Sequence, residues 1–307
     1  MTLGHAAAGP HPATIRALGL GAHAFLAAAG QQWAVEFTKN DFFSIASIAT
    51  KQAVKHFFNG ILSVKNMSNA FLPSPGLVVQ GVSTPLRLSD FKLAAFDMDS
   101  TLINIECVDE IADAAGRKAE VAAITEAAMR GEITDYKDSL RRRVALLKGV
   151  TVAHMEDVYA NRLQLNPGAA ELMAALQTAG LKVLLVSGGF TFFTDRIKAR
   201  LRMDFARSNV LEVVDGVLTG RMVDQTWGDI CDGAEKRRTL LEVASLMGVS
   251  PTQCMAVGDG ANDLPMMKAC SDAGGLSVAY HAKPAVREQA RVAINAGGLD
   301  RLLELFA

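Results

Sequence analysis

Asp97 and Asp99 stand two positions apart in Asp97-Met98-Asp99-Ser100-Thr101-Leu102, directly after the apolar run Leu93-Ala94-Ala95-Phe96. Carboxylates held that close repel each other unless a cation or a proton offsets one of them. The pairing therefore points to a metal-assisted reaction with one aspartate as nucleophile and the other as acid. Gly258-Asp259-Gly260-Ala261-Asn262-Asp263 adds two carboxylates and an amide. That donor set suits Mg2+, which takes oxygen ligands and few protein carboxylates. Ser187-Gly188-Gly189 joins a hydroxyl to two glycines, which lets backbone N–H groups approach an anion closely. In isolation the second motif is an acidic turn and the third an ordinary loop. Gly258-x-Gly260 is not a dinucleotide fingerprint, because the third glycine and the acidic partner are missing.

These motifs need elements to present them. Each follows a short apolar run, at 92–96, 182–186 and 254–257, of the kind that forms buried parallel strands. Helical segments at 169–179 and 236–247 precede the second and third runs. The alternation predicts an α/β domain with a doubly wound parallel sheet, where ligands sit at the carboxyl ends of the strands. Between Glu106 and Leu165 the texture changes to amphipathic helices alone, which predicts a helical cap inserted at about 106–166. Residues 210–223, with Asp215-Gly216 at the turn, predict a small β-hairpin.

Composition narrows the functional class. The 307 residues carry a formal net charge of −1, so no global field draws nucleic acid or anionic membranes. Four cysteines are scattered without a CxxC pair, which reads as free thiols in a reducing, cytoplasmic compartment and no zinc site. Six histidines are equally dispersed, so the expected metal is a hard cation bound by oxygen. No apolar stretch approaches membrane-spanning length without interruption. Residues 17–29 imitate a signal peptide, but no basic cluster precedes them and His23 breaks the apolar run. Pro73-Ser74-Pro75-Gly76 marks a linker, dividing an N-terminal extension at 1–72, of no assignable role, from a catalytic domain at 73–307. The extension has a helical patch at 45–58; it is either a degenerate regulatory domain or an upstream addition to a chain that starts at Met67.

Taken in order, the DxDST run, Ser-Gly-Gly, Lys236 opening a helix and Gly-Asp-Gly-Ala-Asn-Asp resemble the haloacid-dehalogenase-like phosphatase superfamily, most nearly its phosphoserine-hydrolysing branch. The resemblance runs from about Leu88 to the C-terminus. It implies a Rossmann-like core with a helical cap, Mg2+ as cofactor and O-phospho-L-serine as substrate, the last step of serine biosynthesis. Asp97 is then the nucleophile, and Asp99 the acid that protonates the leaving oxygen and later deprotonates water. Mg2+ is implied to lie on Asp97, the backbone carbonyl of Asp99 and Asp259, with Asp263 orienting that shell. Ser187, the Gly188 amide and Lys236 are expected on the phosphoryl oxygens, and Asn262 on the substrate or a metal-bound water. By itself, a lysine in Glu235-Lys236-Arg237-Arg238 reads as a solvated helix face. Glu106 matches the acid that meets the substrate ammonium. Arg143, the third of three consecutive arginines, matches the group that pairs with its carboxylate. One departure is that 129–136 is a residue longer than the family pattern and carries Tyr136 where phenylalanine is common. The alternative is a phosphatase or phosphotransferase of the same superfamily acting on another small metabolite, such as phosphothreonine or phosphohomoserine.

Overall fold

The computed structural model describes residues 74–307, apart from Gly131 and Asp229, and the backbone of three short stretches nearer the N-terminus. The chain divides into two compact units, Met1–Ala70 and Phe71–Ala307. In the first, β1 (Thr14–Arg16), β2 (His23–Ala28) and β3 (Gln31–Trp33) pair antiparallel in that order. The helical patch expected at 45–58 and the alternative start at Met67 lie outside the described residues.

The second unit is built on an eight-stranded sheet. Its strands are β4 (Leu77–Val79), β5 (Leu93–Phe96), β6 (Lys182–Phe190), β7 (Phe205–Val214), β8 (Val217–Val223), β9 (Cys254–Gly258), β10 (Leu276–Tyr280) and β11 (Val292–Ile294). The spatial order is β4-β11-β10-β9-β5-β6-β7-β8, with β4 and β8 antiparallel to their neighbours and all other pairs parallel. The three strands that carry the motifs, β9, β5 and β6, are thus consecutive and parallel at the centre. Phe96 pairs with Leu185 on one side and Val257 on the other, so the three motifs leave the sheet at one level.

Side-chain alternation along these strands builds a core on each face. Ala94, Phe96, Val183, Leu185, Met255 and Val257 join one apolar cluster, while Leu93, Ala95, Leu184, Val186, Cys254 and Ala256 join the other. All four residues of β5 are buried, as a central parallel strand covered on both faces requires. Burying Phe96 alone removes enough apolar surface to contribute about 2–3 kcal/mol. Four helices follow β5: α1 (Cys107–Ala114), α2 (Lys118–Met129), α3 (Tyr136–Ala145) and α4 (Val152–Asp157), the last running into a π-helical turn at Val158–Arg162. They form the cap and contribute Val121, Leu140, Val144, Met155 and Val158 to the first cluster. Then come α5 (Ala169–Thr178), α6 (Thr191–Leu201), α7 (Gly233–Leu246) and α8 (Leu264–Ser271). The second cluster packs α7 and α8 against the sheet through Leu240, Ala244, Met266, Met267 and Cys270.

Three expectations need correction. Ser187-Gly188-Gly189 is not a loop beyond the second strand, because β6 continues through it to Phe190 with its register irregular between Val186 and Phe190. The expected hairpin at 210–223 exists, with Asp215 and Gly216 both at positive φ, as a tight two-residue turn demands. Its first strand begins earlier, however, at Phe205, and pairs with β6, so the hairpin extends the main sheet. Lys236 does not open its helix; α7 starts at Gly233 behind the N-cap Asp232, whose side chain accepts from Glu235 N at 2.8 Å. All four cysteines are free and buried, and no helix among the described residues is long and apolar enough to cross a membrane.

Candidate active site

Asp97 is the first residue past β5, and its N–H donates to the carbonyl of Val257 at 3.0 Å, so the backbone that presents it is tied to β9. Its carboxyl meets Lys236, whose Nζ donates to Asp97 Oδ1 and to Asp263 Oδ1, each at 2.6 Å. Lys236 is completely buried, on the same face of α7 as Thr239 and Leu240, whereas Arg237 and Arg238 are exposed. That excludes the solvated-face reading for this lysine. A buried ammonium persists only when paired, and the two carboxylates hold its pKa well above the ordinary lysine value despite burial. The other oxygen of Asp263 accepts from the N–H groups of Asp259 and Gly260 at 3.1 and 3.0 Å. Gly258 leaves room for it, since a Cβ there would lie 2.4 Å from the Asp263 carboxyl carbon.

Asp97, Asp259 and Asp263 offer carboxylate oxygens that all lie within 4.8 Å of one another. Lys236 answers two of these charges. Asp259 receives only the Thr101 hydroxyl, at 3.1 Å, and forms no ion pair among the described residues. Burial, with Asp263 beside it, raises the Asp259 carboxyl to about 7. Burial likewise raises Asp97 well above the usual carboxylate range, with Asp263 adding to the effect and Lys236 opposing it. Excess negative charge in an all-oxygen site fits a hard divalent cation.

Asp99 stands apart from that trio. A Cβ built on Gly189 would lie 3.2 Å from Asp99 Oδ2, and Asp99 Oδ1 is buried without a hydrogen-bond partner. Burial, then the nearby Glu106, raises this carboxyl to about 7, opposed by hydrogen bonding from Cys107. At neutral pH it can therefore both hold and release a proton, which is what a general acid and base needs.

On β6, Ser187 is buried and its Oγ accepts from Gly189 N at 2.8 Å, leaving the hydroxyl proton to donate elsewhere. The carbonyl of Gly188 accepts from Asn209 Nδ2, and Asn209 Oδ1 accepts from Cys231 N, both at 2.8 Å. Asn209 thereby ties the irregular stretch of β6 to β7 and to the chain entering α7. Asn262 lies half-buried in the turn Ala261–Asp263, and its side chain makes no hydrogen bond among the described residues.

The cap contributes Glu106, Arg143 and Tyr136. Ser100 Oγ donates to Glu106 Oε1 at 2.6 Å. Glu106 keeps solvent access, yet the protein crowding it raises its carboxyl, a shift opposed by the Ser100 hydrogen bond and by Arg143 and Lys236. Arg143 is half-buried and its charge acts on Glu106, Asp109 and Tyr136. It makes no hydrogen bond or ion pair among the described residues, and its Nε is buried without a partner. Arg142, by contrast, is exposed and pairs with Asp138 at 2.8 Å. Of these two neighbours, only Arg143 has an enclosed guanidinium free to bind something else.

Sequence reasoning overlooked Thr101, Asn209 and Asn166. Asn166 Nδ2 donates to the carbonyls of Ser100, Thr101 and Ile103 at 3.3, 2.8 and 3.0 Å, pinning the loop after Asp99. Thr101 sits inside the DxDST run and could have been read as a hydroxyl aimed at the metal shell. Asn209 and Asn166 carry no local signal, because their partners are distant in the chain.

The haloacid dehalogenase-like hydrolase family profile matches residues 91–271. A phosphoserine phosphatase of Albidiferax ferrireducens is 72% identical over 233 residues, covering 76% of this chain and 97% of that protein. One of Polaromonas sp. is 75% identical over 232 residues, with the same shares covered. Among solved structures, a phospho-aspartyl intermediate analogue of phosphoserine phosphatase superposes with a TM-score of 0.63 at 39% identity, over 71% of this chain and 99% of that one. A substrate-bound phosphoserine phosphatase complex gives a TM-score of 0.62 at 38% identity, over the same shares.

Proposed function

The chain belongs to the haloacid dehalogenase-like hydrolases, and from that premise we propose that its site hydrolyses O-phospho-L-serine to L-serine and phosphate through an aspartyl-phosphate on Asp97. The observation that carries this reading is the cluster of buried Asp97, Lys236 and Asp263 with half-buried Asp259, faced from the cap by Glu106 and by Arg143, whose Nε has no partner. The protein is a phosphoric monoester hydrolase; its substrate is recognised as a zwitterion bearing a phosphoryl group.

Ser187, the Gly188 amide and Lys236 hold the phosphoryl oxygens. Positioning and charge stabilisation of this kind are the main demands of phosphoryl transfer. A carboxylate oxygen of Asp97 attacks phosphorus while the bond from phosphorus to the serine oxygen breaks, and Asp99 delivers its proton to that oxygen. Water then attacks the aspartyl-phosphate, passing a proton to Asp99, and cleavage of the bond between phosphorus and Asp97 releases phosphate. Asp97, Asp259 and the backbone carbonyl of Asp99, braced by Asp263, would hold Mg2+, which would supply neutralisation of the phosphoryl charge. Asn262 meets the substrate or a water on that shell. Glu106 takes the substrate ammonium, and Arg143 its carboxylate, a contact that suits a planar guanidinium.

The relatives named phosphoserine phosphatase and the Glu106–Arg143 pair support serine phosphate over other esters. The test is phosphate release from O-phospho-L-serine, phosphothreonine, phosphohomoserine and p-nitrophenyl phosphate, each with and without Mg2+. Phosphoserine should have the highest kcat/KM, and only with the metal. Equal turnover of all four esters would overturn the substrate assignment.

A further inference from the structure

Tyr136, the first residue of α3, reaches from the cap into the floor of the site. A Cβ built on Gly188 would lie 2.1 Å from Tyr136 Oη, so the phenol occupies the space where any other residue at 188 would begin its side chain. The ring packs on the main apolar cluster. Yet the hydroxyl makes no hydrogen bond among the described residues. The charges that act on it are those of Lys236, Arg143 and Asp97, which stand around the candidate reaction centre. Burial raises the phenol above its ordinary pKa, so it stays protonated and can donate. Tyr136 is half-buried, so a ligand can reach this hydroxyl, which stands beside Gly188 on β6 with no protein partner among the described residues.

We propose that the Tyr136 hydroxyl donates a hydrogen bond to a non-bridging phosphoryl oxygen of the bound ligand, beside the Gly188 amide. The assignment rests on the phosphomonoesterase reading of the site and adds a ligand contact that phenylalanine at the same position could not make. It also links the cap to the core through the ligand, because Tyr136 belongs to one and Gly188 to the other. The phosphoryl group is favoured over the substrate carboxylate because the hydroxyl lies over Gly188, on β6, whose amide is assigned to a phosphoryl oxygen.

Tyr136→Phe removes the oxygen and keeps the ring, so the fold is preserved; equal thermal midpoints check this. With the Mg2+-loaded protein, competitive inhibition by inorganic phosphate should weaken about tenfold to a hundredfold, the loss expected for a hydrogen bond to a charged group. KM for phosphoserine should rise by a similar factor, with kcat changing far less, since the contact exists before and during the reaction. Binding of L-serine, which has the carboxylate but no phosphoryl group, should be unchanged. Because phosphate is the probe, the outcome does not depend on which ester is the substrate. Unchanged phosphate inhibition would overturn the proposal. So would weakened L-serine binding with phosphate unaffected, which would move the hydroxyl to the carboxylate.

Discussion

Lys236→Met is the perturbation that most directly questions the electrostatic construction of the site. The wild-type ammonium is fully buried and shared by Asp97 and Asp263 at 2.6 Å each. Methionine fills much of the same volume, so the packing loss is small and the charge effect dominates. Removing one partner of a buried ion pair typically costs about 3–5 kcal/mol, because the charges left behind are uncompensated. For a domain of this size that corresponds to a fall of roughly 6–20 °C in thermal midpoint. The cost depends on pH. Asp97 already has a raised carboxyl pKa in the folded protein, and loss of Lys236 raises it further. Between the unfolded carboxylate pKa of about 4 and that raised value, the native state binds more protons than the unfolded state, so stability falls as pH rises. The deficit should therefore be largest at pH 8 and shrink towards pH 5. Urea titrations of both proteins at the two pH values, with a chelator present so that no cation substitutes for the lysine, measure it. Adding Asp97→Asn to Lys236→Met deletes one stranded charge and should restore part of the loss. A variant as stable as its parent at pH 8 would refute the claim that this lysine neutralises two buried carboxylates.

Further tests address chemistry and recognition. Asp97→Asn should abolish turnover, since an amide is not a competent nucleophile; steady-state phosphate release checks this, and full activity would remove Asp97 from the mechanism. Arg143→Ala deletes a charge-assisted contact worth about 1.5–3 kcal/mol, so KM for phosphoserine should rise about tenfold to a hundredfold while p-nitrophenyl phosphate turnover changes little. If Asp99, whose carboxyl is raised to about 7, is the proposed acid that protonates the serine oxygen, the rate of enzyme phosphorylation, followed by rapid quench, should decline as pH rises through that value. A rate still climbing at pH 9 would exclude Asp99 as the acid. Chelation should stop hydrolysis, and Mg2+ should restore it.

The chemistry was more legible in the chain than the architecture that serves it. Asp97, Asp99, Asp259 and the Ser187-Gly188-Gly189 stretch announce themselves because each follows a short apolar run, and a strand end is where an open α/β sheet places ligands. What periodicity could not reveal was that the three strands are immediate neighbours. Strand order is decided by packing and crossover connections, and nothing in 92–96 specifies which runs will flank it. The short strands β4, β10 and β11 escaped for a related reason: they carry no chemistry, and β4 and β11 span three residues each.

Lys236 shows the same limit at the scale of one side chain. Its neighbours Glu235, Arg237 and Arg238 make a charged run of the kind that ordinarily faces water, and only the rotation of α7 distinguishes the members. That rotation is set by Leu240 and Ala244, which must reach the core beneath the sheet; Lys236, one helical turn before Leu240, is carried inward with them. Two aspartates at adjacent strand ends then meet an ammonium that cannot escape to solvent. The apolar packing of the helix, rather than attraction between the charges, therefore brings the lysine to the site, and the carboxylates make its burial tolerable. The helix face that builds the core thus also delivers the cation that we propose holds the phosphoryl group.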